Sequence, residues 1–353
     1  MTARLFTPGP TPLPPEVQKA MNMPLLYHKS AEFRQLMQRV CYNLQYVFCT
    51  QQMVLPITCS ATGAAEAVAS NLHSCGDKVL VLNNGRFAQR WRDILELFGI
   101  TVINENIEWG DAPSVDHVSE LLALHNDINA VWIVHSETST GTVANVKDIA
   151  TVIRAESNAL ICVDGVSSVG AMECKMDEWG IDALICGSQK ALMTPPGLGF
   201  VALSERAWRE VEHRKPTSYY FNLLRLRTAA EKNLGVFTPA IGILMGLDIA
   251  LELIRNEGLE RVIERHSQVG SIIRSGIKEL GLPLLSRFPS NSLTVVASEK
   301  AQSIINRLHD EYGVIVAGGQ DFFSGKAIRI GHLGYVFEKD ARYFLDCFKN
   351  VVT

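Results

Sequence analysis

No apolar run in this sequence approaches the roughly 20 residues a helix needs to cross a bilayer, so a helical membrane protein is not expected. There is no excess of basic charge either: 33 Lys and Arg against 37 Asp and Glu give a net charge of −4. Nothing general in that balance favours nucleic acid or an anionic membrane, and any anion site must be local. The eight cysteines (Cys41, Cys49, Cys59, Cys75, Cys162, Cys174, Cys186 and Cys347) form no CxxC pair and no Cys/His cluster at zinc spacing. A structural metal and a disulfide framework are therefore not expected. Free thiols inside apolar runs, as at Cys162 and Cys186, together with the lack of a recognisable signal peptide, point to a reducing cytoplasm. Internal repeats and low-complexity segments are absent as well.

What is present is a chain of 353 residues, 47% hydrophobic and 20% charged, a composition suited to a large buried core. After a proline-rich opening, Thr7 to Pro15, short β-branched runs alternate with stretches of helical periodicity. That alternation predicts an α/β architecture with a mostly parallel sheet covered by helices. The clearest strands are Lys78 to Leu82, Thr101 to Asn104, Ala130 to Val134, Ala159 to Val163, Ala183 to Cys186 and Gly199 to Leu203. Long helical stretches follow, Ile241 to Asn256 and Leu259 to Leu280. The remainder reads as strand (Ser292 to Val296), helix (Ala301 to Tyr312), strand (Val314 to Ala317), strand (Ala327 to Ile330) and helix (Glu338 to Val351). The expected division is an N-terminal segment (1–15) near the site, a large domain (16–240), and linking helices with a small α+β domain (241–353).

Ligands of parallel α/β sheets bind beyond the carboxyl ends of the strands, and four of those ends are unusually polar or small. Asp164 ends the run Ile161 to Val163; it either caps a following helix or pairs with a cationic heterocycle nitrogen. Lys190 follows a strand and the turn Gly187-Ser188-Gln189, where it is either a surface or phosphate-contacting lysine or a Schiff-base nucleophile. Thr58 to Glu66, with Ser60, Ala61 and Thr62, opens a helix, and serves either as a phosphate cup or as an ordinary capping box with Glu66. The polar loop His135 to Gly141 is either a ring-holding loop or a plain strand-to-helix turn.

In this order these residues resemble the class V aminotransferases of pyridoxal-phosphate (PLP) fold type I, in particular the alanine–glyoxylate and serine–glyoxylate (serine–pyruvate) group. The segments GSQKALMTPPGLGF and VDGVSSVG carry the resemblance, NNGRFAQRW and HSETSTGT support it, and it runs from FTPGPTPLPPEV to RIGHLG. It implies Lys190 as the cofactor-binding lysine and general acid/base, and Asp164 as partner of the pyridinium nitrogen. It places Val166 and Phe87 on the ring faces, Ser60, Ala61, Thr62 and Gln189 around the phosphate, and Thr138 near the ring hydroxyl. Arg329 would hold the substrate carboxylate, with Gly9 as backbone beside it; the isoleucines flanking Arg329 predict that it faces away from the apolar side of its strand. The resemblance further implies a homodimer in which Thr238 reaches the neighbouring subunit's phosphate site, although the tyrosine that relatives pair with it has no match here. Relatives also have Gly-His where this chain has Ala61-Thr62. Tyr27, His28, Tyr219 and Tyr220 are pocket or interface residues.

The implied reaction is a ping-pong transfer of an amino group from a small amino acid, alanine or serine, to a 2-oxo acid such as glyoxylate or pyruvate. Alternatives within the fold are 2-aminoethylphosphonate and ureidoglycine aminotransferases. A cysteine desulfurase fits poorly, since Cys347, in an amphipathic helix, is the only cysteine after Cys186. An alternative of another class is a non-catalytic binding subunit.

Overall fold

The computed structural model describes residues 3–352. Seven strands form the main sheet: β1 (Val54–Thr58), β2 (Lys78–Asn83), β3 (Thr101–Asn106), β4 (Ala130–Val134), β5 (Leu160–Asp164), β6 (Ala183–Gly187) and β7 (Leu198–Leu203). Their order is β1-β7-β6-β5-β4-β2-β3. All neighbours from β3 to β6 pair in parallel, while β7 runs antiparallel to both β6 and β1. Side chains of β4 show why its sequence is apolar throughout: Val131 and Ile133 enter the core on one face, Ala130, Trp132 and Val134 the core on the other. A strand buried on both faces has no position where a polar side chain is cheap.

The expected strands match to within one or two residues at each end. β1 was not anticipated; Pro56 interrupts its pattern, and it lies at the sheet edge, where a missing N–H is tolerated. The single strand expected over Val314 to Ala317 is two short ones. Val314–Ile315 pairs with Arg4–Leu5 near the N-terminus, and β9 (Ala317–Gly318) joins β8 (Leu293–Ala297) and β10 (Ala327–Gly331) in a three-stranded antiparallel sheet.

Helices α1 (Ala31–Phe48), α2 (Ala61–Leu72) and α3 (Arg86–Leu97) pack on the main sheet; α4 (Ile241–Glu257) packs on α1 and leads into α5 (Leu259–Glu279). Packing divides inside α5: Leu259 and Val262 join the large core, whereas Val269, Ile273 and Ile277 join a second core with Phe344, Phe348 and Ile328. Among the described residues no helix is long and apolar enough to cross a membrane.

Phe6 belongs to that second core, so the N-terminal segment is stitched to residues of the C-terminal part of the chain. Beyond it, the Gly331 N–H donates to Phe6 O at 2.6 Å. A Cβ on Gly331 would stand 2.0 Å from Thr7 O, so only glycine lets the segment lie against β10. Gly331→Ala is expected to displace residues 6–10, lower stability by roughly 1–3 kcal/mol as overpacking does, and expose the segment to limited proteolysis. Wild-type melting and cleavage patterns would show that the segment does not depend on this contact.

Candidate active site

Asp164 and Ile185 are paired across β5 and β6. Asp164 therefore ends one strand while Lys190 comes just after the next, both at the carboxyl edge of the sheet. No helix follows Asp164, so it is not a helix cap. Its Oδ1 accepts from the Val166 N–H at 2.8 Å and its Oδ2 from the Trp91 indole N–H at 3.1 Å. Burial raises its carboxyl above the ordinary range, opposed by those two donors and by Lys190 and Arg90.

Lys190 is buried, and burial is the main reason its ammonium is lowered to about 8; Asp164 works against that shift, and Arg329 and Arg90 add to it. The Lys190 Nζ donates to Pro8 O. Gly9, at φ +135°, lies so close to this side chain that a Cβ would meet Nζ at 2.7 Å. Thr11 completes the join, its N–H donating to Gln189 O at 3.2 Å and its hydroxyl to Lys190 O at 2.9 Å. The N-terminal segment is thus a wall of the site, and Gly9 packs on the lysine itself.

A cavity of about 120 Å³ opens beside these groups, lined by Ser60, Thr62, Phe87, Asp164, Val166 and Lys190 among others. Ala61 and Gln189 line it as well, together with Arg90 and Trp91, which sequence reasoning did not single out. The only sequence signal for these two was their place in NNGRFAQRW. A larger groove of about 670 Å³ lies elsewhere, between α1, residues 172–175 and the start of α5, and contains none of these residues.

Ser60 is the N-cap of α2, its hydroxyl accepting from the Gly63 N–H at 3.4 Å. The third helical position is thus Gly63, and Glu66 takes no part in the expected capping box. The exposed N–H groups of this first turn, with two hydroxyls nearby, suit an anion. Gln189 Oε1 is buried with no partner. An amide end left unpaired at the cavity wall fits a bound polar group, since an isolated buried polar atom is otherwise costly.

The polar stretch after β4 does something different from what its composition suggested. Glu137 is fully buried, its Oε2 accepting from the N–H groups of Phe87 (3.0 Å) and Ala88 (3.2 Å), its Oε1 from the N–H (2.9 Å) and hydroxyl (2.6 Å) of Ser139. Ser139 Oγ in turn accepts from the Arg86 N–H at 3.0 Å. These two residues cap α3, whose own N-cap, Gly85, has no side chain to do so. A Cβ on Gly85 would stand 2.5 Å from Glu137 Cγ. Phe87 and Arg90 are thereby aimed at the cavity from a helix whose start is held by a loop some 50 residues away in sequence.

Thr138 is buried beside that loop but outside the cavity lining; its carbonyl accepts from Arg329 at 3.4 Å. Arg329 sits on β10 with Ile328 and Ile330 turned into the small core, as the alternation predicted. Its Nε donates to Gly318 O at 2.7 Å, and burial pulls its guanidinium below the usual arginine range, with Glu137 opposing. Thr238 is exposed and away from the cavity. Tyr27 and Tyr219 are exposed too, while Tyr220 stacks on Phe237 at 4.7 Å and donates to Thr58 O at 3.1 Å. Neither these tyrosines nor His28 reaches the cavity.

A family model described as aminotransferase class-V matches residues 4–330. The "Soluble hydrogenase, small subunit" of Synechococcus sp. (strain PCC 6716) is 37% identical over 96% of this chain and 90% of its own. The serine–glyoxylate aminotransferase of Methylorubrum extorquens is 34% identical over 94% of this chain and 86% of its own. Among solved structures, ureidoglycine–glyoxylate aminotransferase from Bacillus subtilis superposes with a TM-score of 0.94 at 30% identity, covering 100% of this chain and 93% of that one.

Replacing Glu137 by glutamine puts an amide NH₂ against donors on one side or the other. Glu137→Gln should cost about 1–3 kcal/mol, the penalty of buried donors left unpaired, and should loosen the start of α3. Chemical denaturation and amide exchange at Phe87 and Ala88 measure both, and unchanged protection there would remove Glu137 as the cap.

Proposed function

The chain belongs to the class V aminotransferases, PLP-dependent transaminases of fold type I, and from that premise we propose that it moves an amino group from a small amino acid, serine or alanine, to glyoxylate. The observation that carries the reading is the set Asp164, Lys190 and the cavity between them and the start of α2. Glyoxylate as acceptor is common to the names of the Methylorubrum and Bacillus relatives, whose donors differ. A second copy of the chain is part of the proposal: Thr238 is exposed beside the Tyr220–Phe237 stack and is available to a neighbour's site. A cytoplasmic location is proposed with it.

The residues present fit the cofactor. Ser60, Ala61, Thr62 and Gln189 would hold the phosphate, Phe87 and Val166 would flank the ring, and Asp164 would accept from its nitrogen; the ring hydroxyl is the place proposed for Thr138, which stands outside the cavity lining. When bound, the cofactor supplies an aldehyde that condenses with amines and a ring that draws electron density from the substrate Cα. Asp164, with two donors already on it, keeps its carboxylate oriented and adds the negative charge that a protonated ring nitrogen requires. Arg329 binds the substrate α-carboxylate through its planar fork, its Nε fixed by Gly318 O so that the terminal nitrogens stay aimed. Gly9 and Pro8 shield Lys190 from water on the N-terminal side.

Lys190 carries the proton. With its ammonium lowered to about 8, the amine is neutral in a useful fraction near neutral pH and can take a proton from Cα and return it. Because the neutral amine is the reactive form, covalent capture of the cofactor by the apoprotein should speed up about tenfold per pH unit below 8 and level off above it. A rate that keeps climbing to pH 10 would show that Lys190 is not shifted.

Spectral titration identifies the donor. Serine or alanine, added alone, should bleach the band of the lysine-bound cofactor, and glyoxylate should restore it; Lys190→Ala should abolish both changes. Response to 2-aminoethylphosphonate or ureidoglycine alone would reassign the donor and sink the serine or alanine proposal. A second reading, a non-catalytic subunit, draws on the hydrogenase-subunit name of the Synechococcus relative. It predicts no spectral response to any amine, although it gives no reason for a buried lysine beside a buried carboxylate.

A further inference from the structure

Arg90 sits one turn along α3 from Phe87, with its guanidinium over the Phe87 ring, 4.8 Å from the centroid. One of its nitrogens donates to the Thr62 hydroxyl at 3.2 Å. Both residues line the cavity with Ser60, Ala61 and Gln189. A guanidinium has five N–H donors. Among the described residues the Thr62 oxygen is the one acceptor Arg90 reaches, and no carboxylate lies within ion-pair distance of it. The neighbouring arginine behaves otherwise: Arg92 pairs with Asp93 at 2.7 Å. Arg90 is therefore a cation with spare donors on the lining of a small chamber, next to the positive end of α2.

We infer that Arg90 is a direct charged ligand of the cofactor's phosphate and that it acts with Thr62 as a pair. Since the Thr62 oxygen accepts from the guanidinium, its own O–H is free to donate into the chamber, and a hydroxyl that accepts from a cation is a stronger donor. The phosphate dianion then meets a fork of N–H groups from α3, hydroxyls from the start of α2, and backbone N–H groups. The guanidinium covers one face of the Phe87 ring, so one side chain both neutralises the phosphate and fixes the aromatic that offers its other face to the cofactor ring. Neither Phe87 nor Thr62 alone would supply the charge.

This inference rests on the reading that the cavity holds the cofactor with its phosphate at Ser60 to Thr62, and the test separates the two. The full-length protein is stripped of cofactor and titrated with PLP and with pyridoxal, which keeps the aldehyde and lacks the phosphate. Binding is followed by absorbance, and the attachment point is found by borohydride reduction and peptide mass. Wild-type, Arg90→Gln and Arg90→Lys are compared, with melting curves of each apoprotein. Arg90→Gln is expected to weaken PLP on the order of ten- to a hundredfold, the loss of one charge-assisted contact, and to leave pyridoxal within about twofold; Arg90→Lys should fall between, again only for PLP. If Arg90→Gln fails to fold, the PLP-selective loss in Arg90→Lys carries the test. Wild-type protein that never captures PLP on Lys190 overturns the reading of the cavity itself. Capture by wild-type with equal PLP affinity in the variants overturns the inference about Arg90 alone. Equal losses for PLP and pyridoxal overturn it too, since Arg90 would then act only through the Phe87 ring.

Discussion

The cost of burying charge at the carboxyl edge of the main sheet is the constraint around which the site is arranged. Asp164 and Lys190 come from neighbouring strands, and burial disfavours the ionised form of each, raising the one and lowering the other. Each is compensated in part. The carboxylate has Val166 and Trp91; the amine has the Pro8 carbonyl. Trp91 is fixed in turn by Trp132, 4.1 Å away, whose indole N–H donates to a buried His73 at 3.2 Å. That histidine is held neutral, at about 4, chiefly by burial, which leaves its Nε2 free to accept. The aim of one carboxylate thus depends on packing that runs back through the sheet.

The second constraint is that the site's walls come from segments far apart in the chain. Pro8 and Gly9 close over Lys190, and their position follows from Phe6 in the small core and from the bare backbone of Gly331 on β10. Arg329, two residues earlier on that strand, reaches across to the Thr138 carbonyl in the loop after β4. A buried group of hydroxyls, Ser136 with Ser290 and Ser292 at 2.8 and 3.0 Å, joins the same loop to the segment before β8. Arg329 and the N-terminal wall are therefore both anchored to the second core around β8 and β10.

Legibility in the sequence followed the range of the interactions. Strands buried on both faces were visible because their apolar character is local, and so was the alternation around Arg329. Asp164 and Lys190 were visible as polar residues at strand ends, although residues alone left their roles open until the resemblance across the whole chain was weighed. The edge strand β1 was hidden by Pro56, and the split at Val314 to Gly318 by the fact that its two halves pair with different partners. The start of α3 was illegible for a sharper reason. Its cap is Glu137, and no local pattern announces that a glycine at position 85 borrows an acceptor from a loop beyond β4. Arg90 and Trp91 went unnoticed with it, since which face of α3 meets the cavity depends on that cap.

Polar residues at strand ends in this protein separate by how much of their hydrogen-bonding capacity the fold consumes. Asp182 is buried but paired with Arg154 at 2.6 Å, the Ile161 N–H at 2.8 Å and the Ser204 hydroxyl at 2.8 Å. Glu137 accepts from four donors. Glu137 is saturated and Asp182 nearly so, and both hold elements in place. Asp164 has two donors on four lone-pair sites, Gln189 has an unpaired amide oxygen, and Arg90 uses one donor of five. These unsaturated groups all line one cavity. Unpaired capacity alone does not mark the cavity, since Asn84 after β2 and His135 after β4 also keep unpaired buried atoms and lie outside its lining; what sets Asp164, Gln189 and Arg90 apart is capacity left open at the cavity wall, and it emerges only when the partners of each group are counted in the folded chain.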